Sequence, residues 1–251
     1  MKIIALVAPR GGTGRSTLVA NLGRVLAEKA RTLLLDLDPQ NSLGLLLGME
    51  VLEERGLATP GFTRARAAEL LGEAKPEVPY IPFGRPPIRV RFDLGASLLA
   101  DPDWLRRRLD DLCPPETEFV LLDVAAGHNI WQQQALAVAD IALVVLSADP
   151  VCYALVPGFE QALTEAPRNA SGPRRDLYVV NCVDPRKALA RDVRDATFHA
   201  LGDAVFPTGL VDDEAVREAA AHRQTVAHYA PHSQFLADLR HLAAWLLEAR
   251  P

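Results

Sequence analysis

A glycine-rich loop between an apolar run and a helical pattern constrains this chain most. Residues 9–17 (PRGGTGRST) follow an apolar run at 3–7, which is typical of a buried parallel strand, and precede an amphipathic pattern at 18–26. At such a junction free backbone N–H groups and the positive end of the helix dipole point at one spot. The sequence therefore predicts an anion cradle made of Gly11, Gly12, Thr13, Gly14, Arg15, Ser16 and Thr17.

The loop departs from the strict phosphate-loop pattern G-x-x-x-x-G-K-[ST] at two positions. Pro9 stands at the first glycine and Arg15 at the lysine, so that only Gly14 and Ser16 match. A looser pattern, K-G-G-x-G-K-[ST], fits better, with arginine at both lysine positions, Arg10 and Arg15. We expect ATP binding, with Arg15 close to the β- and γ-phosphates. Efficient hydrolysis stays open because a planar guanidinium is not equivalent to an ammonium. A glycine turn without a ligand is the alternative.

Carboxylates occur in or just after two further apolar runs. Asp36 and Asp38 end the run that starts at 32, and Asp123 ends the run that starts at 118. Ligands of open α/β sheets bind at the carboxyl ends of the strands, so all three carboxylates are expected beside the glycine-rich loop. Carboxylates near a triphosphate require a divalent cation between them, and Mg²⁺ takes few protein ligands while keeping several waters.

Each polar residue has an expected role in such a site. Ser16 would ligate Mg²⁺ directly, Asp123 would hold a metal-bound water and Asp38 would orient the attacking water. Asp36 is a further metal candidate. The alternative is that Asp36 or Asp38 caps the next helix, near Asn41 and Ser42.

Strand and helix patterns alternate along the chain. Strands are predicted near 2–8, 32–37, 79–83, 118–123, 141–147, 177–181 and 204–210. Helices are predicted near 15–29, 102–112, 130–138, 151–164, 188–201, 212–221 and 232–248. This order predicts an α/β fold, a doubly wound and mostly parallel sheet with helices on both faces.

Residues 50–100 are the least regular part of an expected single domain over 1–251. Within them, residues 85–91 (RPPIRVR) combine prolines with basic residues, which favours an exposed loop. Another loop is flanked by three arginines: Arg168, Arg174 and Arg175. Both basic clusters are interpreted either as solubilising charge or as a partner surface.

Composition excludes several classes of protein. Hydrophobic residues make up 49% of the 251, which excludes wholesale disorder. No apolar stretch is long enough to span a membrane, and the start has no signal-peptide layout. The three cysteines lie far apart, which fits a reducing cytoplasm and buried thiols and argues against a cluster-binding cysteine pair. The apolar stripe at 235–247 favours packing on the domain over membrane attachment.

Four segments resemble the ParA/MinD branch of P-loop ATPases. They are 10–17 (RGGTGRST), 33–40 (LLLDLDPQ), 121–127 (LLDVAAG) and 139–150 (ADIALVVLSADP), and the resemblance extends to 215–233. Within that branch the chain looks most like the BcsQ subgroup of cellulose-biosynthesis ATPases. The subgroup markers are the arginine before the paired glycines, the missing loop lysine, IPFG at 81–84 and DPVCY at 149–153.

The resemblance implies a homodimer that closes over two ATP molecules. In the family the lysine before the paired glycines reaches the partner's phosphates, so Arg10 joins Asp38 as a catalytic candidate; the alternative is an arginine solvated on the loop. In the family an asparagine also lies near the adenine base of ATP, and Asn181 fits that position. The alternative is that Asn181 only ends its strand as a turn former. Pro207 is also expected to contact the adenine base of ATP.

Three functions remain open. The first is an ATP-dependent dimeric regulator of bacterial cellulose secretion, with a small co-regulator and the cellulose synthase complex as partners implied by the resemblance. We place it in the cytoplasm, recruited to the inner membrane through partner proteins. The second is a partitioning or positioning ATPase that binds generic DNA. The net charge of −5 argues against this function, because non-specific DNA binding calls for positive charge. The third is a scaffold in which bound ATP is structural.

Overall fold

The computed structural model describes residues 1–73, 77–166 and 174–248, and the predicted contribution of Arg168 to a partner surface lies outside them. The strands are β1 Lys2–Val7, β2 Thr32–Leu37, β3 Tyr80–Ile81, β4 Phe119–Val124, β5 Ile141–Ser147 and β6 Arg175–Asn181. The helices before β4 are α1 Arg15–Ala27, α2 Leu43–Leu46, α3 Arg64–Glu73, α4 Ile88–Leu99 and α5 Trp104–Leu112. Those after it are α6 Ile130–Val138, α7 Pro150–Ala154, α8 Val156–Glu165, α9 Ala188–Leu201, α10 Glu214–Ala221, α11 Val226–Tyr229 and α12 Gln234–Glu248.

The strands form one parallel sheet in the order β3-β2-β4-β1-β5-β6, with helices on both faces. This confirms the predicted fold class. Its central strands are buried on both faces, which explains why they read as continuous apolar runs rather than as alternating patterns.

Alternate residues of each strand supply two separate cores. In β2, Leu33, Leu35 and Leu37 pack with α4, α5, α6 and α8, whereas Leu34 faces the core shared with α1 and α12. Side chains of a strand alternate between the faces of the sheet, so Asp36 has the same parity as Leu34 and lies on the α1 face. Asp123 of β4 has the same parity as Leu121, which belongs to that core as well.

The predicted strand at 204–210 is wrong. This segment holds a short 3-10 helix, Gly202–Ala204, followed by two isolated parallel bridges, Tyr178 to Val205 and Val183 to Val211. Pro207 has no backbone N–H to donate, and Gly209 has a φ of +70°, so a continuous ladder along β6 is interrupted here.

The basic segment at 85–91 is only partly the loop that its prolines favour. Residues 88–91 form the first turn of α4, since Pro87 occupies the position before the helix, where a missing N–H costs nothing. Ile88 and Phe92 of this helix are well exposed. The partner-surface interpretation is wrong for Arg174, because its buried guanidinium binds Asp176 and the carbonyl oxygen of Leu163.

The final helix packs on the domain, as its apolar stripe predicts. Six residues of α12 are buried against the core shared with α1: Phe235, Leu236, Leu239, Leu242, Ala243 and Leu246. Within the residues that the structure describes, no helix combines the length and the apolar character needed to cross a membrane.

Candidate functional site

The glycine-rich loop forms a cradle at the carboxyl edge of the sheet. Gly12 and Gly14 both have φ of +80°, a conformation that a Cβ atom disfavours. Gly14 stands immediately before α1, and its carbonyl oxygen accepts the first helical hydrogen bond from Leu18 at 2.8 Å. A cavity of about 280 Å³ opens over the loop, lined by Gly11, Gly12, Thr13, Gly14, Arg15, Ser16, Thr17, Asp38 and Ala126. The predicted loop residues thus surround one space.

Asn181 at the end of β6 supports the loop from behind. Its Nδ2 donates to the carbonyl oxygen of Thr13 at 2.8 Å. A Cβ on Gly14 would lie 2.5 Å from this same nitrogen, so the close approach of the two segments requires glycine. The sequence predicts Asn181 only as a contact of the base; the structure adds a bond that fixes the loop.

A second cavity of about 270 Å³ adjoins the loop on the side of β6. It is lined by Gly12, Gly14, Thr17, Leu18, Asn181, Cys182, Val211, Asp212, Asp213, Val216, Arg217 and Phe235. Pro207 is exposed and does not line this cavity, whereas Val211, Asp212 and Asp213 do, so the predicted contact of Pro207 with the base of ATP stays a prediction. Cys182 is exposed, contrary to the expectation of three buried thiols.

Asp36 and Asp123 are neighbours across β2 and β4, paired in register and both fully buried. Burial, and then the adjacent Asp123, raise the pKa of Asp36 well above its usual value. The two oxygens of Asp36 accept from the backbone N–H groups of Asp38, at 2.8 Å, and Leu43, at 3.2 Å. Because Leu43 begins α2, this supports the helix-capping alternative for Asp36.

Asp123 has different hydrogen-bond partners from Asp36. Its Oδ1 accepts from Arg15 Nε at 2.8 Å, while its Oδ2 is buried and accepts no hydrogen bond from any residue of the described ranges. Burial raises the pKa of Asp123, and the nearby Arg15 guanidinium and Ser16 hydroxyl act against that rise. A buried carboxylate oxygen without a donor fits an acceptor for a metal-bound water.

Arg15 lies between two carboxylates. Its Nε donates to Asp123, as described above, and its Nη2 donates to Asp38 Oδ2 at 2.8 Å. The arginine side chain is only 8% exposed. The sequence places Arg15 close to the phosphates of a nucleotide. In this structure the guanidinium donates to the two acidic residues through Nε and Nη2 while Arg15 also lines the cavity over the loop, and its contact with a phosphate stays a prediction.

The donor set around the cradle suits Mg²⁺ better than a transition metal. Ser16 lines the cavity, and the carboxylates are oxygen donors of the kind Mg²⁺ takes, with waters and phosphates completing its shell. No group of three or more His, Cys, Asp or Glu side chains in the described parts of the chain is arranged to hold a metal ion by itself. While Arg15 is bonded to Asp38 and Asp123, a cation at this position would depend on bound nucleotide.

Arg10 extends from the rim of the loop. Its side chain is 40% exposed and its Nη1 lies 3.6 Å from Asp149 Oδ1, at the end of β5. Hydrogen bonds from the Ser147 hydroxyl and the Cys152 N–H, together with Arg10, lower the pKa of Asp149 against the effect of burial. Asp149 therefore stays ionised and holds Arg10 at the surface beside the cavity.

Asn129 organises the segment after β4, and the sequence reasoning missed it. Its Oδ1 accepts from the N–H of Gln132 and caps α6, while its Nδ2 donates to the carbonyl oxygens of Ala125, Ala126 and Gly127. The signal that could have found it is an asparagine directly before a helical pattern. The N–H of Gly127 donates to the carbonyl oxygen of Ala8, which ties this segment to the end of β1.

Known proteins resemble this chain over nearly its whole length. The sequence model of the cellulose biosynthesis protein BcsQ family matches residues 1–247. The chromosome-partitioning ATPase Soj of Thermus thermophilus is 31% identical, over 96% of this chain and 93% of its own. The chromosome partitioning protein ParA of Caulobacter vibrioides is 28% identical, over 91% of this chain and 87% of its own.

Solved structures share the fold. A ParA family ATPase from Chlorobium tepidum superposes with a TM-score of 0.75 at 17% identity, covering 97% of this chain and 98% of that one. The cell division ATPase MinD of Pyrococcus furiosus has a TM-score of 0.68 at 23% identity, covering 99% of both chains. MinD of Pyrococcus horikoshii, solved with Mg-ADP, matches with the same TM-score at 22% identity, over 99% of this chain and 97% of that one.

The predicted resemblance is confirmed by the sequence match, by the relatives and by the shared fold. This chain belongs to the BcsQ family of cellulose biosynthesis proteins, within the ParA/MinD group of P-loop ATPases.

Proposed function

We propose that this chain is an ATP-dependent dimeric switch that regulates bacterial cellulose biosynthesis. One observation carries the nucleotide part: the glycine cradle, Ser16 and Asp38 line a single cavity, and Arg15 in its wall is bonded to Asp123. A phosphate-binding loop and a carboxylate with an open acceptor oxygen are the two parts that a magnesium nucleotide needs.

The residues divide the work of holding ATP and Mg²⁺. Backbone N–H groups of residues 11–17 would bind the phosphates, and Ser16 with Asp123 would hold the cation directly and through water. Mg²⁺ would supply charge neutralisation at the phosphate oxygens. Asp38 would orient the attacking water once Arg15 has released it. The cavity beside Asn181 would bind the adenine base of ATP.

Arg10 supports a dimer that sandwiches the nucleotide. Its guanidinium is 40% exposed at the rim of the cradle, with Nη1 3.6 Å from Asp149 Oδ1 and Nε donating to the Gly11 carbonyl oxygen at 3.4 Å. From that position it would contact the phosphates bound by a second copy of the chain, with a bidentate grip. ATP would then favour the dimer by binding it better than the monomer, and the dimer would present the surface that a partner recognises.

The cellulose-specific part of the proposal is supported by the family match, whereas the cavity supports only the nucleotide switch. The partners we propose are a small cellulose-biosynthesis co-regulator and the cellulose synthase complex. The protein would act in the cytoplasm and reach the inner membrane through these partners.

Two measurements test the proposal at its two levels. A fluorescent ATP analogue with Mg²⁺ should bind and be displaced by ATP; absence of displaceable binding would contradict the nucleotide switch. Deleting the gene from its bacterium should lower cellulose output, and the wild-type gene should restore it. Unchanged cellulose output on deletion would contradict the pathway and leave the nucleotide switch standing.

A partitioning ATPase is the second candidate, favoured by the 31% identity to Soj. Such a role requires DNA binding by the ATP dimer, with affinity that falls steeply as salt rises. An electrophoretic shift of generic duplex at low salt, seen with ATP and lost without it, would favour this candidate. No shift with ATP would remove it.

The third candidate is a scaffold with structural ATP, and the contact between Arg15 and Asp38 favours it because that contact occupies the water-orienting carboxylate. A phosphate-release assay separates it from a working ATPase. Turnover by the wild type that disappears in Asp38→Ala would exclude the scaffold, whereas bound ATP without turnover in either protein would support it.

A further inference from the structure

Arg15 joins two carboxylates that the proposed reaction needs in separate roles. Its Nε lies 2.8 Å from Asp123 Oδ1 and its Nη2 lies 2.8 Å from Asp38 Oδ2. The first is the carboxylate that would hold a metal-bound water, and the second is the one that would orient the attacking water. One guanidinium therefore donates hydrogen bonds to both carboxylates that would act on a bound magnesium nucleotide.

We propose that, in the nucleotide-free protein, Arg15 takes the place of Mg²⁺ at Asp123, so that the guanidinium and the cation compete for this carboxylate while the same guanidinium occupies Asp38. This rests on the proposed function, because it concerns the same nucleotide site. Arg15 is then a positioning residue with two states. In one state it neutralises both carboxylates. In the other it releases Asp123 to the cation and Asp38 to the attacking water, and it contacts a phosphate.

The charge balance of the site requires a cation at this position. Asp36 and Asp123 are fully buried neighbours in the sheet, and Asp38 lies beside them. Buried carboxylates without a counter-ion are costly. Within the described ranges, Arg15 forms the ion pairs of Asp38 and Asp123, whereas the oxygens of Asp36 accept from the backbone N–H groups of Asp38 and Leu43. Removing it therefore leaves buried negative charge that an added cation can neutralise.

The chemistry of arginine suits it to this role better than lysine. Arg15 uses two different nitrogens of its planar fork, Nε toward one carboxylate and Nη2 toward the other. A lysine has a single ammonium nitrogen and cannot reproduce that fork geometry. Arginine in place of the loop lysine thus provides one counter-ion for two carboxylates.

Asp123 keeps one acceptor oxygen beside the one that Arg15 uses. Its Oδ2 is buried and accepts no hydrogen bond from the described residues, while Oδ1 accepts from Arg15. This oxygen would hold a water of a Mg²⁺ bound with the nucleotide. Mg²⁺ alone has no phosphates to complete its shell and should not displace Arg15.

Thermal unfolding of the nucleotide-free protein with and without Mg²⁺ tests the competition. The wild type should show no Mg²⁺-dependent shift of its unfolding midpoint. Arg15→Ala should unfold at a lower temperature and recover on addition of Mg²⁺, by about 3 °C at about ten times the dissociation constant. Arg15→Lys should respond less than Arg15→Ala, because the ammonium still neutralises one carboxylate.

Two controls separate competition from general loss of a buried arginine. Arg174→Ala also removes a buried arginine–aspartate pair, with Asp176, but it should gain no response to Mg²⁺. Adding Asp123→Asn to Arg15→Ala should abolish the response by removing the ligand. Should Arg15→Ala fail to fold, Arg15→Gln keeps the length of the side chain without its charge and is expected to respond in the same way.

An equal response to Mg²⁺ in the wild type and in the Arg15 variants would overturn the competition, and so would no response in any of them. Neither result bears on ATP binding, since no nucleotide is present in these measurements. Failure of this inference is therefore distinguishable from failure of the proposed function.

Discussion

At the scale of single residues, the three loop glycines differ in what a Cβ atom would meet. Gly14 has a φ of +80°, and a Cβ atom added to it would lie 2.5 Å from Asn181 Nδ2. Gly12 has the same φ, but a Cβ there would meet no atom within 4 Å, and Gly11 has neither constraint. We expect Gly14→Ala to lower the free energy of unfolding most. Gly12→Ala should lose about 1–2 kcal/mol from backbone strain alone, and Gly11→Ala should be close to the wild type.

Urea denaturation of the nucleotide-free variants measures this order. Equal losses for Gly14→Ala and Gly12→Ala would show that the contact with Asn181 adds nothing to the strain. A large loss for Gly11→Ala would contradict the geometry of the loop.

The buried carboxyl of Asp36 predicts a pH dependence of stability. Its pKa is raised in the folded state, so the folded protein binds more protons than the unfolded chain above about pH 4, and stability falls as pH rises. Asp36→Asn does not titrate. The stability of Asp36→Asn relative to the wild type should therefore increase from about pH 4 toward neutral pH.

Urea denaturation of both proteins over this pH range, without nucleotide, measures the difference. A difference that is independent of pH would show that Asp36 titrates normally. A difference that changes in the opposite direction would mean that its folded pKa is lowered.

Residue types and positions were predictable where strand ends and loop spacing determine them. Ser16, Asp38 and Asp123 come to the cradle because parallel strands end at one edge of the sheet. The orientation of Arg15 was not predictable, because it depends on buried Asp123 needing a counter-ion, which Arg15 provides. That need arises only once the register places Asp36 and Asp123 side by side.

At the scale of elements, Asn129 links the end of β4 to the start of α6. Asn129→Ala should cost about 1–2 kcal/mol of unfolding free energy, because it removes the helix cap and the bonds to three carbonyl oxygens. Asn129→Ser keeps a capping oxygen and should cost less. Denaturant unfolding of the two variants compares them, and equal losses would mean that the cap contributes nothing.

Sequence patterns predicted the central strands well and the periphery less well. β1, β2, β4 and β5 are continuous apolar runs, which have few alternatives in an α/β chain. The segment at 204–210 is apolar enough to suggest a strand, but Pro207 and Gly209 limit it to isolated bridges. No helix was predicted within residues 50–100, so both α3 and α4 were missed. For α4 the prolines at its start were taken as breakers, although they are tolerated before a first helical turn.

At the scale of the whole molecule, the central claim is a dimer that forms around ATP and needs Arg10. Arg10 contacts Asp149 at the rim and lies outside the buried ion pairs of Arg15, so Arg10→Ala should fold and bind ATP in the monomer. It should lose the contact with the partner's phosphates. Arg66→Ala serves as a matched control, because it also removes an exposed arginine that pairs with a carboxylate, Glu69.

The most direct measurement is the light-scattering mass of the purified protein with Mg²⁺, with and without ATP, for the wild type, Arg10→Ala and Arg66→Ala. The account predicts that ATP shifts the wild type and Arg66→Ala from the mass of one chain toward that of two, and that Arg10→Ala stays at one while still binding ATP. A wild type that binds ATP and keeps the same mass, or an Arg10→Ala protein that dimerises as well as the wild type, would contradict it.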